Sequence, residues 1–269
     1  MQSKSIQDVC PELKTNKGLA LYLDADRTNI WTDPDKKYAS HLEQIVKWRD
    51  CYNCIIISGS TGVTKENASK LSTKLQSLGY DKKRIGLLPP KHEVLSDNFG
   101  FVIICALLNS KNPYFKEEFT KIVKPQINEL TKKGIIPIYM AYLLIEPADQ
   151  LTVGKVTNPD IIGREEYDKA ISYYNEAIGL GFKTISLEAG SGADQPVPEK
   201  IINIIRQKFN GIITVGGGIK TADQVYSILK AGSNLVICGD VLEKSENLEK
   251  ILFELHNGVN KANNNFNKK

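Results

Sequence analysis

Short apolar runs alternate with longer amphipathic stretches from one end of the chain to the other. Runs at 19–23, 54–57, 85–88, 101–107, 135–145, 183–187, 211–215 and 234–238 lack period-2 alternation, the pattern of strands covered on both faces. Between them, 38–50, 65–78, 115–133, 165–180, 198–209, 222–231 and 248–256 carry the apolar spacing of amphipathic helices. Eight strands with intervening helices predict an α/β fold, a TIM (β/α)8 barrel. A doubly wound open sheet is the competing arrangement, but no G-x-G-x-x-G follows the first run.

One unit breaks the rhythm. Between the third and fourth runs lies only PPKHEVLSDNFG, too short for a full barrel helix with its connections. The pattern therefore predicts a modified barrel whose third helix is missing or replaced. Either an extended segment patches the wall there, or an apolar groove is left that admits a long hydrophobic substrate. Residues 1–16 read as a polar N-terminal extension, 17–257 as a single barrel domain, and the Asn-rich 258–269 as a disordered tail.

Composition narrows the class without changing that picture. The 269 residues are 41% hydrophobic and 25% charged, ordinary for a globular protein and close to the roughly 250 residues of one α/β barrel. A net charge of +4, evenly spread, argues against nucleic-acid binding. No run has the length of a membrane span or a signal-peptide core. Five cysteines, with Cys105 and Cys238 inside apolar runs, point to a reducing cytoplasm. Cys51 and Cys54 form an isolated C-x-x-C with no further zinc ligands nearby.

Candidate chemistry gathers where barrels keep it, just after the C-terminal ends of strands. The sixth run ends in LEAGSG, the seventh in VGGGIK and the eighth in VICGD. Their glycines offer backbone N–H groups that no side chain shields, the composition of a phosphate cradle. LDADRTN after the first run and SGSTGVT after the second set Asp24 opposite Ser60. That pair reads either as oxygen ligands for Mg2+ or as a simple helix cap at Asp24. Asp33-Pro34-Asp35-Lys36 follows no strand and reads as the start of the first helix. Asn109-Ser110 closes the fourth run. Glu188 follows the sixth directly, as a general base or an ion-pair partner.

These motifs, with LLNS and with AYLLIEP followed by VGKVT, stand in the order of the geranylgeranylglyceryl and heptaprenylglyceryl phosphate synthase family, which the chain resembles from about 17 to 243. LEAGSG followed by VGGGI is the most specific part. The resemblance implies a TIM barrel lacking its usual third helix. It also implies Mg2+-dependent transfer of a prenyl group from a polyprenyl diphosphate to the hydroxyl of sn-glycerol 1-phosphate. Asp24 and Ser60 match the family's metal ligands. Ser186, Leu187, Glu188, Ala189, Gly190, Ser191 and Gly192, then Gly217, Gly218, Gly239 and Asp240, match its glycerol-phosphate contacts. Glu188 matches the acid that activates the acceptor, and Tyr142 a tyrosine at the reacting end. A cytoplasmic homo-oligomer, dimer or larger, whose product partitions to the membrane, is implied as well.

The chain departs from the family pattern at several points. Ala25 replaces a proline, Ser186 a tyrosine, and Asp240 a threonine or asparagine. A carboxylate beside a phosphate calls for a cation, for which Lys220 and Lys155 are candidates. Leu87-Leu88-Pro89-Pro90 resembles the turn of the phosphoglycerate prenyltransferase of moenomycin-type assembly, so 3-phosphoglycerate is the alternative acceptor. Outside this class stand a phosphosugar isomerase or aldolase, for which Lys183 is the one obvious strand lysine, and a non-catalytic barrel. Phe99, Phe101, Tyr114 and Phe115 are the expected liners of an isoprenoid groove.

Overall fold

The computed structural model describes residues 4–27, 31–32, 40–59 and 61–266. The 33–36 acidic stretch and the predicted ligand Ser60 lie outside them. Eight parallel strands form a closed barrel in sequence order: β1 (Gly18–Asp24), β2 (Cys54–Ser58), β3 (Ile85–Leu87), β4 (Phe101–Leu107), β5 (Ile136–Leu144), β6 (Thr184–Glu188), β7 (Ile212–Gly216) and β8 (Leu235–Cys238). Closure comes from β1 pairing with β8, Gly18 opposite Leu235 through Leu21 opposite Cys238. All eight predicted runs are strands, and the open-sheet alternative is excluded.

Each strand sends alternate residues to two cores, which is why the runs are apolar throughout. Ala20, Cys54, Ile56, Phe101, Ile103, Ile138, Met140, Ile212 and Leu235 fill the barrel interior. Their sequence neighbours, such as Leu21, Ile55, Val102, Ile185, Leu187 and Val215, belong to the outer core beneath the helices.

The outer helices are α1 (His41–Lys47), α2 (Lys65–Ser77), α3 (Phe119–Lys132), the short α4 (Thr152–Thr157), α5 (Tyr167–Gly179), α6 (Glu199–Lys208), α7 (Ala222–Ala231), α8 (Asp240–Lys244) and α9 (Leu248–Phe266). Two begin in reciprocal caps. Thr64 accepts from Asn67 N–H at the start of α2 and Thr221 from Gln224 N–H at the start of α7, removing orphan donors of the first turn. From β3 to β4 the chain makes only one helical turn, a 3-10 turn at His92–Val94.

Both chain ends differ from expectation. The N-terminal extension plugs the barrel floor, with Ile6, Cys10 and Leu13 buried in the interior core and Arg84 tying it down through Glu12 at 2.7 Å. The tail expected to be disordered is helical through Phe266. Leu248, Leu252, Leu255, Val259 and Ala262 form one buried stripe of α9, each leucine contributing about 1.5–3 kcal/mol by burial. Asn263 then accepts from Lys17 N–H at 2.7 Å and donates to Lys17 carbonyl at 3.2 Å. No helix among the described residues is long and apolar enough to cross a membrane.

Candidate active site

At the C-terminal end of the barrel a cavity of about 520 Å³ is lined by residues from most strand ends. Asp24, Tyr142, Glu188, Gly190, Ser191, Gly192, Gly217, Gly218, Gly239 and Asp240 all reach it, so most of the predicted site residues are brought together. Three are not. Leu187 and Ala189 are fully buried in the outer core, and Ala189 spends its N–H on Gly216 carbonyl at 3.1 Å. Ser186 lies inside the barrel below Glu188, opposite Tyr142 on one side and Thr214 on the other. Its hydroxyl is sealed from solvent and has no hydrogen-bond partner among the described residues, like those of Thr184 and Thr214.

Glu188 is held from two sides. Tyr142 Oη donates to its Oε2 at 3.2 Å and Gly190 N–H to its Oε1 at 2.8 Å. Bare backbone fits closely around it. A Cβ on Gly216 would fall 2.4 Å from Oε2, and one on Gly217, at φ +82°, 2.4 Å from Oε1. The glycines of VGGGIK therefore make room for a carboxylate as well as offering amides. Burial pushes the Glu188 carboxyl up to about 7, with a smaller push from Asp240, against the pull of Gly190 and Tyr142. Burial, with Glu188 beside it, raises the Tyr142 phenol well above its ordinary range. Among the described residues no lysine, arginine or histidine pairs with Glu188.

Across the cavity, the end of β1 presents two more carboxylates. A Cβ on Gly59 would meet Asp24 Oδ1 at 2.5 Å and Asp26 Oδ1 at 2.9 Å, so the two groups converge over one glycine. Asp24 accepts from Asp26 N–H at 2.9 Å, and Asp26 from Thr61 N–H at 3.3 Å. These hard, convergent oxygens are the donor type that Mg2+ takes.

The cavity wall shows what sequence reasoning missed. Phe115 and Phe119 line it together with Val153 and Val156 of α4 and with Leu88, Pro89 and Pro90. Of the expected liners, Phe115 alone is one of them. Tyr114 braces Phe115 and Phe119 edge-on, with centroids 5.1 and 5.9 Å away. Phe99 is buried in the outer core, and Phe101 packs over Gly86 at the barrel floor. α4 lies close because Gly154 has no side chain; a Cβ there would stand 2.3 Å from Ala148 carbonyl. Buried Asn109 braces this region by exchanging hydrogen bonds with the Leu144 backbone, and Ser110 bonds Thr157 carbonyl at 2.6 Å. LLNS is thus a brace. Tyr22 also lines the cavity, and burial raises its phenol; its place inside an apolar run gave no signal.

The cation beside Asp240 is Lys244, at 3.7 Å. Lys220 lines the same cavity, with its Nζ 3.9 Å from Asp194, and Lys155 is exposed on α4. Among the described residues no group of three His, Cys, Asp or Glu could hold a metal ion, and the Cys51–Cys54 pair forms no such site.

The PcrB family model matches residues 26–258. The chain belongs to the PcrB family. It is 35% identical to the geranylgeranylglyceryl phosphate synthase of Thermococcus kodakarensis over 210 residues, 77% of this chain and 81% of the relative. The enzyme of the same name from Thermococcus gammatolerans is 35% identical over 235 residues, 86% of this chain and 90% of the relative. In fold it matches the crystal structure of (S)-3-O-geranylgeranylglyceryl phosphate synthase from Thermoplasma acidophilum in complex with its substrate sn-glycerol-1-phosphate. The TM-score is 0.80 at 23% identity, covering 98% of this chain and 100% of that one.

Proposed function

We propose that this PcrB-family protein transfers a prenyl group from a polyprenyl diphosphate to the hydroxyl of sn-glycerol 1-phosphate, forming an ether. One observation carries the reading. A single cavity holds a desolvated glutamate among bare glycine amides at one end, convergent carboxylates at the other, and an apolar wall between the two banks. The names of the relatives that cover most of this chain support the same chemistry.

In this reading the acceptor phosphate rests on the amides of Ser191, Gly192, Gly217, Gly218 and Gly239, while Gly190 N–H stays on Glu188, and the acceptor turns its hydroxyl toward Glu188. Glu188 takes the hydroxyl proton as the oxygen attacks the allylic carbon. The allylic C–O bond breaks and its electrons leave with the diphosphate. Orienting both partners in one cavity lowers such a barrier by roughly 7–11 kcal/mol in favourable cases. Tyr142 holds Glu188 in position and stabilises its charged form. Asp24 and Asp26 would hold Mg2+, whose charge would stabilise the diphosphate leaving group. Ser60, the other predicted ligand, lies outside the described residues.

The isoprenoid chain would run past Phe115, Phe119, Val153 and Val156. The single 3-10 turn between β3 and β4 supports this path, because it leaves no α-helix on that part of the wall. The barrel is then one whose third helix is replaced. The same reading includes a cytoplasmic homo-oligomer, dimer or larger, releasing a product that partitions to the membrane. 3-Phosphoglycerate is disfavoured, because its extra carboxylate would meet Glu188 and Asp240.

Mass spectrometry of products tests the proposal. Purified protein with Mg2+ is given geranylgeranyl and longer diphosphates, each with sn-glycerol 1-phosphate, its 3-phosphate enantiomer or 3-phosphoglycerate. The expected product is the ether of sn-glycerol 1-phosphate. An ether of 3-phosphoglycerate alone would move the assignment to the alternative acceptor, and no ether from any pair would overturn it.

A further inference from the structure

The glycine-lined corner also holds an opposed pair of charges, and this inference rests on the acceptor site proposed above. Asp240 opens α8, and Lys244 ends it one turn later on the same face. Asp240 Oδ1 accepts from Ser191 Oγ at 2.6 Å. Its Oδ2 would lie 3.6 Å from a Cβ built on Gly192. The carboxylate therefore hangs over the loop whose amides face the cavity, and a phosphate docking there meets a charge of its own sign. Lys244 Nζ stands 3.7 Å from Oδ2, well beyond the roughly 2.7–2.9 Å of a tight charge-assisted hydrogen bond. Its side chain is 69% exposed and reaches the same cavity.

We propose that Lys244 is a phosphate-binding residue of the acceptor site, parked at the rim by Asp240 and transferred to the phosphate when the acceptor enters. Asp240 is its positioning residue. It keeps the ammonium beside the empty corner and fixes the Ser191 hydroxyl, at the expense of repelling the incoming anion. The arrangement makes opposite demands on two side chains one helical turn apart, which a purely structural ion pair does not.

The test is calorimetric binding of sn-glycerol 1-phosphate to the full chain, together with KM and kcat for that acceptor. Lys244→Ala should weaken binding and raise KM by about tenfold, with a much smaller change in kcat. Lys244→Arg should restore most of the loss. Asp240→Asn should tighten binding by about threefold, because the repulsion goes while the lysine stays. Binding by Lys244→Ala within twofold of the native chain would overturn the proposal. So would weakening by Asp240→Asn to the level of Lys244→Ala. A native chain that binds no glycerol phosphate would instead overturn the acceptor assignment itself.

Discussion

Asp24 and Asp26 at the end of β1 face Glu188 at the end of β6 across the same cavity, yet the two sets differ in their exposure and in the company each carboxylate keeps. The aspartates are partly or fully open to solvent, accept backbone N–H groups from their own neighbourhood, and turn two oxygens toward one point. Glu188 is alone, desolvated and clasped by a phenol and an amide, with its carboxyl near 7. In the proposed reaction the open, convergent aspartates would hold the cation. Dehydration, which raises the glutamate carboxyl to about 7, would suit it to act as the base. One residue class thus yields two chemistries, and the local dielectric environment decides which.

The comparison breaks most completely at Glu188. Glu188→Gln should lower kcat by about 10²–10⁴-fold while calorimetry still detects glycerol phosphate; turnover within tenfold of native would remove it as the base. The same variant reports on stability. A carboxyl raised in the folded state favours folding while protonated, so this contribution is full below the ordinary carboxylate range. It is lost as pH rises from about 4.5 through about 7. The Tm of the native chain should fall across that window relative to Glu188→Gln, and parallel curves would contradict the raised value.

A smaller effect is expected on the opposite bank. Asp24→Asn should cut activity by about 10²-fold at fixed Mg2+, with partial recovery as Mg2+ is raised. A loss that no Mg2+ concentration relieves would take Asp24 out of the metal site. The finest distinction comes from Tyr142→Phe. It removes a donor to the charged form of Glu188, so the acid limb of the kcat profile should move to higher pH by about one pH unit. A shift to lower pH would show that Tyr142 supports the neutral form.

How much of this could be read in the sequence follows from physical causes. The strands were legible because burial on both faces leaves unbroken apolar runs, and the glycine loops because nothing else removes every side chain at three strand ends. The order of α9 was hidden by its asparagines, of which Asn257, Asn260, Asn264 and Asn265 are exposed. The apolar stripe Leu248, Leu252, Leu255, Val259 and Ala262 beneath them is plain once the two faces are separated. Side-chain direction was the weaker inference. Leu187 and Ala189 adjoin Glu188 and Gly190 but turn to the outer core, since alternation along a strand sends neighbours to opposite faces. Phe101 failed as a groove liner for a related reason: it points inward, but at the floor. Lys244 was missed because its meaning depends on a single helical turn that brings it back to Asp240.

The lacing of Asn263 to Lys17 ties the last helix to the first strand at the end farthest from the cavity. The circle of strands closes along β1 and β8, and the two ends of the chain add a second fastening at the floor. A change of side chain in the loops at the mouth leaves that fastening untouched.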